Sequence, residues 1–583
     1  MQPVRIDIPA FKGMAPRVSP ALLESVQGVF VTGTVTSGEL RPWRVSAPVE
    51  SCPADTESIY LAATGDWISW DEVVHAHPSV SKNDAFGRIY YTRESGGLFV
   101  VSPLDDFTEF RAGVPKPETP PTVVVSGSGS GTAEDRVYCY TYVNAWGEEG
   151  APSEPSDFES WQPGQTVTVS GFAVPPLGYK AVVAIRIYRM AIGDVGADWF
   201  YVDEIVPTGG EYGSYVDAVS ELALGEAIST LQYDLPPQEA RGLVALGNGI
   251  MAVFQDNEIA FCEPYLPYAW PDGFRLSVAG GVVSLGVVGS SVVVLTNTAP
   301  YYIHMAHPSI PVLSPDNFSQ TRLAEKVPCV SPRGVVSTEW GVIFPAPDGL
   351  RVLDGSGPSK LLTEALLSAQ EWVSIFDPLN VRGAYFDGQY FGFQPGSGFS
   401  YHPSMGLLTW TGSGAMAMHT DGLSLYIARD GSIYEWASDV GLTEAVFKSK
   451  VFRFPRPVNM AAVRVDSSMD TAWEDLQALY ESIAAQNELL EQNDLSLADE
   501  DIAGQSVGGD NLEDLPLVSG DVPTHGLKIW ADGNLVFDNI VPASGYSRLP
   551  SGFLAREWQF ELRTFSHVKQ ITLGTSTRAA VGA

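Results

Sequence analysis

The stretch Gly247-Asn248-Gly249-Ile250-Met251-Ala252-Val253-Phe254-Gln255-Asp256-Asn257-Glu258-Ile259-Ala260-Phe261-Cys262 decides the reading of this chain. Two apolar runs rich in β-branched and aromatic residues are cut by Gly, Asn and Asp. That is the signature of consecutive antiparallel strands joined by tight turns. The same texture continues through Glu263-Pro264-Tyr265, Ala269-Trp270-Pro271, Val282–Val288, Val292–Leu295 and Tyr301–His304, as far as His307.

Working outward, the pattern repeats. Turn-bearing anchors fall at Gly247, Gly289, Gly341, Asp387-Gly388 and Asp421-Gly422, each followed by an apolar strand and a second turn such as Asp348-Gly349 or Asp430-Gly431. Their spacing lies near the ~40–50 residues of one propeller blade. The Arg88–Val101 hairpin supplies a further unit. The fold class expected is mainly β. A β-propeller carries an inserted fibronectin III-like β-sandwich, a C-terminal β domain and one acidic helical insertion. A pair of unrelated β-sandwiches is the competing architecture. The expected organisation is an N-terminal arm over 1–50, with a short helix near Pro20–Gln27, and first propeller strands over 51–116. The inserted β-sandwich covers 117–235, the remaining blades 236–450 and the C-terminal β domain 451–583, with its helical insertion at about 470–525. The Pro-rich run Val114–Pro121 reads as a stiff joint into the sandwich.

The chain of 583 residues is too long for one core. Lys and Arg number 34 against 69 Asp and Glu, a net charge of −35. Such a surface repels phosphate, which argues against sequence-specific binding of nucleic acid. A conduit through which DNA slides without sticking is the exception. No uncharged apolar window of about 18 residues suggests a membrane span, and Met1–Arg5 has no apolar signal core. Cys52, Cys139, Cys262 and Cys329 are widely spaced and read as small buried hydrophobes.

Between Arg464 and Lys528 there is no Lys or Arg. Within this acidic stretch Trp473, Leu476, Tyr480, Ile483 and Leu490 recur in steps of three and four, while Glu474, Glu481, Glu488 and Glu491 carry charge. The period predicts an amphipathic helix over 470–498. About 25 residues of this period would be ~38 Å long. Two readings stand: a helix packed on its own domain with a solvated acidic face, or one that meets a neighbouring subunit or lines a channel.

Chemistry is sparse. His75-x-His77 and His304-x-x-His307 could each present two nitrogens, but no third ligand is near in sequence. Gly504-Gln505-Ser506-Val507-Gly508 matches a nucleophile elbow in letters but lacks the strand before it and the helix after. There is no phosphate-binding glycine loop and no His-Glu-x-x-His. The sequence therefore predicts no catalytic residues, no metal and no cofactor.

Several segments resemble the tail tube nozzle (tubular B-like) proteins of short-tailed bacteriophages. They include Gly87-Arg88-Ile89-Tyr90-Tyr91-Thr92, Gly113-Val114-Pro115, and Tyr140–Asn144 followed by Trp146-Gly147-Glu148-Glu149-Gly150. Others are Glu263–Pro271, Asp348-Gly349-Leu350, Asp387–Phe393, Lys448-Ser449-Lys450 and Arg548–Phe553. The acidic helical insertion is not part of the resemblance. The resemblance implies a structural virion protein assembled in the host cytoplasm and sited in the viral tail. There it forms a homo-oligomeric ring, usually a hexamer. The ring continues the DNA channel, retains packaged DNA and opens for genome ejection. Implied partners are adaptor and portal-side tail proteins, tail fibres or spikes, and double-stranded DNA that passes without sequence-specific binding. Two other classes compete: a carbohydrate-active propeller enzyme such as a depolymerase, and a monomeric glycan- or receptor-binding module.

Overall fold

The computed structural model describes residues 4–15, 24, 26–193, 196–207, 212–305, 318–439, 441–468, 524–542 and 545–581. The fold is mainly β, built from many sheets, most of them small and almost all of their pairings antiparallel. Two compact units emerge. One holds residues 55–347 and 351–360, the other 1–54, 348–350 and 361–583.

In the first unit, Val74–Pro78, Ile89–Arg93, Leu98–Val101 and Phe110–Arg111 form a four-stranded meander. A second runs from Arg241–Leu246 to Arg275–Ser277, and a third from Val282–Val288 to Phe318–Arg322. A fourth begins with Val336–Thr338 and Gly341–Ala346. The leading strands of these sheets pack on one another in order. Arg241–Leu246 lies against Val74–Pro78 on one side and Val282–Val288 on the other, and Val282–Val288 lies against Val336–Thr338. The core that results holds Tyr90, Leu98, Met251, Val253, Phe261, Trp270, Val292 and Ile303, all buried. At ~25 cal/mol per Å² of apolar surface, burial of such side chains is the main favourable term.

Each turn-bearing anchor in the sequence occupies the first hairpin of its own sheet: Gly247 joins Arg241–Leu246 to Ile250–Gln255, and Gly289 joins Val282–Val288 to Ser291–Thr296. In the second unit Asp387-Gly388 joins Arg382–Phe386 to Gln389–Gln394, and Asp421-Gly422 joins Ala417–Thr420 to Leu425–Arg429. Asp387 and Asp430 both adopt positive φ, 48° and 52°, which Asp tolerates better than most residues in tight turns.

Inside the first unit the chain between Thr122 and Asp217 folds as two three-stranded sheets and a two-stranded ribbon. Thr122–Ser126, Thr166–Ser170 and Tyr215–Asp217 make one sheet; Tyr138–Asn144, Val182–Gly193 and Gly196–Ile205 make the other. Val123, Val167 and Val169 of the first share a core with Tyr138, Ile187 and Val202 of the second. Strand signals at Arg136–Val143, Ala184–Arg189 and Trp199–Ile205 coincide with this second sheet.

The second unit differs from the sequence expectation at its N-terminus. The described residues among 1–50 contribute strands rather than a separate arm, and most of the helix expected near Pro20–Gln27 lies outside the described residues. Arg5–Ile8 pairs with His567–Gly574, Gly28–Thr32 with Ala445–Ser449, and Ala47–Ser51 with Ser432–Glu435. These partners are more than 370 residues away in sequence, so no local pattern reveals them. The meander Arg382–Trp410 also runs without a break into the C-terminal strands, giving a ten-stranded sheet. No boundary falls at residue 450. One helix, Ala369–Phe376, went unrecognised in the sequence, although Ser368 and Glu371 form a reciprocal capping box.

Candidate functional site

Four segments far apart in sequence meet at the base of the two-sheet insertion, all within the first unit. Arg88 lies at the start of Ile89–Arg93, and its guanidinium is buried between two carboxylates. Its Nη2 is 3.0 Å from Asp84 Oδ1, and its Nη1 pairs with Glu148 Oε1. Side-chain exposures of 7% for Arg88, 9% for Asp84 and 6% for Glu148 place this cluster away from bulk water. The turn that carries Glu148 is locked by Asn144. Its Oδ1 accepts from the Trp146 and Glu148 amides at 2.9 and 3.0 Å, and its Nδ2 donates to Glu148 Oε2 at 2.8 Å.

Trp146 fills the space beside the cluster. Its ring lies 5.3 Å from the Arg88 guanidinium and 4.8 Å from Lys180 Nζ, with Phe86 and Phe110 at 6.2 and 5.8 Å. Lys180 in turn pairs with Asp105. Burial pushes the Glu148 carboxyl above its ordinary range, against the opposing pull of Arg88 and Asn144. Asp84 goes the other way: burial raises it, but hydrogen bonds and charge from Arg88 together hold it below the usual range.

The chain leaves and re-enters the meander through packed joints. Gly113 has φ +95°, and Gly150 lies so close to Val114 that a Cβ would meet the Val114 carbonyl oxygen at 2.7 Å. On the return, the Trp270 amide donates to the Asp234 carbonyl at 3.0 Å, and its indole N–H donates to Pro267 at 2.9 Å. The insertion is therefore braced. The Pro-rich run begins with Val114 and Pro115 buried.

Beside this joint lies a cleft of about 480 Å³, lined among others by Arg111, Tyr179, Asp234, Gln238, Gln255 and Arg275. Arg275 is engaged by Asp272 at 2.7 Å and Glu258 at 3.4 Å. Arg111 has no carboxylate partner among the described residues.

Trp473, Glu474, Leu476, Tyr480, Glu481, Ile483, Glu488, Leu490 and Glu491 lie outside the described residues, as do Gly504–Gly508 and His307. His75 and His77 share a face of Val74–Pro78. Both are driven to a pKa of about 4, by burial first and then by the charge of Arg333 on His75 and of His75 on His77. Both are neutral at pH 7. His304 Nδ1 lies 2.8 Å from the Ser291 hydroxyl. Among the described residues no three His, Cys, Asp or Glu side chains gather in a metal-binding group. The four cysteines are unpaired, three of them buried. No helix among the described residues is long and apolar enough to cross a membrane. The sequence offers Arg88, Trp146 and Glu148 in separate segments, and nothing in it shows that they meet. Arg and Glu next to aromatic residues within strand and turn signals were the only available hint.

No family model and no curated protein matches the chain. Solved structures show distant likeness. BBS1N in complex with ARL6DN is 11% identical, covering 68% of this chain and 97% of that one, with a TM-score of 0.29. The AfRom2 CNH domain is 8% identical, covering 48% and 90%, at 0.24. The extracellular domain of the hybrid two-component system BT3049 from B. thetaiotaomicron is 10% identical, covering 94% and 77%, at 0.28. At these scores the chain is similar to them only weakly, and none bears on what it does.

Proposed function

We propose that this chain is a structural tail protein of a short-tailed phage, the subunit of a nozzle ring that continues the DNA channel. In this reading the four-stranded meanders are propeller blades and the two-sheet insertion is a fibronectin III-like module. The observation that carries the reading is the joint. Gly87-Arg88, Gly113-Val114, Trp146–Gly150 and Ala269-Trp270 were each singled out as nozzle-like segments, and they converge at the base of the insertion. A braced insertion suits a subunit that must transmit load between neighbours, because a buried ion pair fixes orientation where a flexible linker would not.

The charge supports the same role. A channel wall must not hold duplex DNA, since each Lys or Arg contact with phosphate releases counterions and strengthens binding. Asp and Glu outnumber Lys and Arg by 69 to 34. Adaptor and portal-side proteins above the ring, and fibres or spikes around it, are the partners this role requires. The test is electron microscopy of the purified chain. A closed ring with a central hole supports the proposal. Lone monomers with polysaccharide-cleaving activity overturn it.

A further inference from the structure

We propose that the cleft beside the joint binds a saccharide unit. Its volume of about 480 Å³ falls within the ~300–1,000 Å³ typical of small-molecule pockets, and it lies where the insertion meets two sheets, a common location for them. The walls are held by backbone bonds. The Arg111 amide donates to the Gly178 carbonyl at 2.7 Å, the Gly97 amide to Ala240 at 2.9 Å, and the Trp270 amide to Asp234 at 3.0 Å. A cleft fixed in this way pays little ordering entropy when a ligand enters.

The lining selects the chemistry. Arg111 offers a guanidinium without an ion-pair partner among the described residues, and the half-buried Asp234 carboxylate has no cationic partner there either. Among the described residues the Asp234 carboxylate accepts only the Asp272 amide, at 3.3 Å. Gln255 accepts from the Glu239 amide at 3.2 Å through Oε1, which leaves its NH₂ group with no acceptor among the described residues. Planar donors and a planar acceptor are thus left with open capacity around one space. Neighbouring sugar hydroxyls both donate and accept, so they can satisfy all three, and the half-buried Tyr179 ring adds an apolar wall for the C–H face of a sugar. A phosphate would satisfy Arg111 but would face the Asp234 carboxylate, and the second guanidinium of the lining, Arg275, is already engaged by Asp272 and Glu258. An apolar ligand would leave the guanidinium and carboxylate unpaired. No nucleophile with an adjacent base lines the cleft, so the inference is one of binding, not cleavage.

The inference goes beyond the tail reading, and ring formation does not enter its test. Ligand-observed saturation-transfer NMR on the full chain would screen glucose, galactose, N-acetylglucosamine, rhamnose and glucuronic acid, with inorganic phosphate as a comparison. At least one sugar should give transfer and titrate. Arg111→Ala and Asp234→Asn should each weaken it by roughly tenfold, ~1.4 kcal/mol. Both variants should keep the wild-type melting temperature, because neither side chain makes an ion pair among the described residues. Gln255→Ala gives a third, independent reading. Silence from every sugar, a response to phosphate alone, or unchanged affinity in all three variants would overturn the inference.

Discussion

Replacing Arg88 with Met tests the joint most sharply. The substitution keeps side-chain bulk and removes the guanidinium between Asp84 and Glu148, whose side chains are 9% and 6% exposed. Removing one partner of a buried ion pair costs about 3–5 kcal/mol, because the remaining charge stays desolvated. Two carboxylates are left here, so the upper half of that range is expected at neutral pH. The Arg88 amide still donates to Asp84 at 2.9 Å, which limits the loss on that side. The sign with pH follows from the carboxyls. The folded Glu148 carboxyl already titrates above its ordinary range, so its contribution falls as pH rises through that folded value. Without Arg88 the Glu148 carboxyl rises further and the Asp84 carboxyl rises from its lowered value, and protonation relieves both. The deficit of Arg88→Met relative to wild type should therefore shrink between about pH 7 and pH 5. Urea melts at each pH, with hydrogen exchange read at the Glu148 amide, measure it. Adding Glu148→Gln should restore about 1–3 kcal/mol, since it removes the orphaned charge. A deficit below about 1 kcal/mol at neutral pH, or one that does not change with pH, would refute a buried, charge-coupled joint.

Other outcomes follow from the same contacts. Tyr90→Phe should be neutral or stabilising by about 1 kcal/mol in chemical denaturation, because the Tyr90 hydroxyl is buried without a hydrogen-bond partner among the described residues. Ser368→Ala should cost about 0.5–2 kcal/mol by removing the capping box of Ala369–Phe376, with exchange rising first in that helix. The excised insertion, residues 117–235, should melt cooperatively on its own core, Val123, Tyr138, Val167, Val169 and Ile187 among it, and an unfolded fragment would show that it borrows core from the meanders.

Strand content and most hairpin turns are legible because the meanders pair strands adjacent in sequence. Gly247, Gly289, Asp387-Gly388 and Asp421-Gly422 are turns between strands adjacent in sequence, and alternation plus turn chemistry suffices for those. What stayed hidden is non-local. The pairing of Arg5–Ile8 with His567–Gly574 depends on edges that exist only once both sheets form. Arg88 and Glu148 are 60 residues apart, and neither residue alone signals a buried partner. Pro115–Pro121 read as a spacer because Pro favours extended backbone, yet burial of Val114 against Gly150 makes its start part of the core. The cleft was invisible for the same reason: Arg111, Tyr179, Asp234 and Gln255 come from four separate segments.

The assembly state of the purified full-length chain bears most directly on the proposed role. Native mass spectrometry combined with negative-stain microscopy at micromolar concentration should show a closed homo-oligomeric ring, expected as a hexamer, with a central opening wide enough for duplex DNA. Discrete monomers without a ring population at any concentration tested would contradict the account.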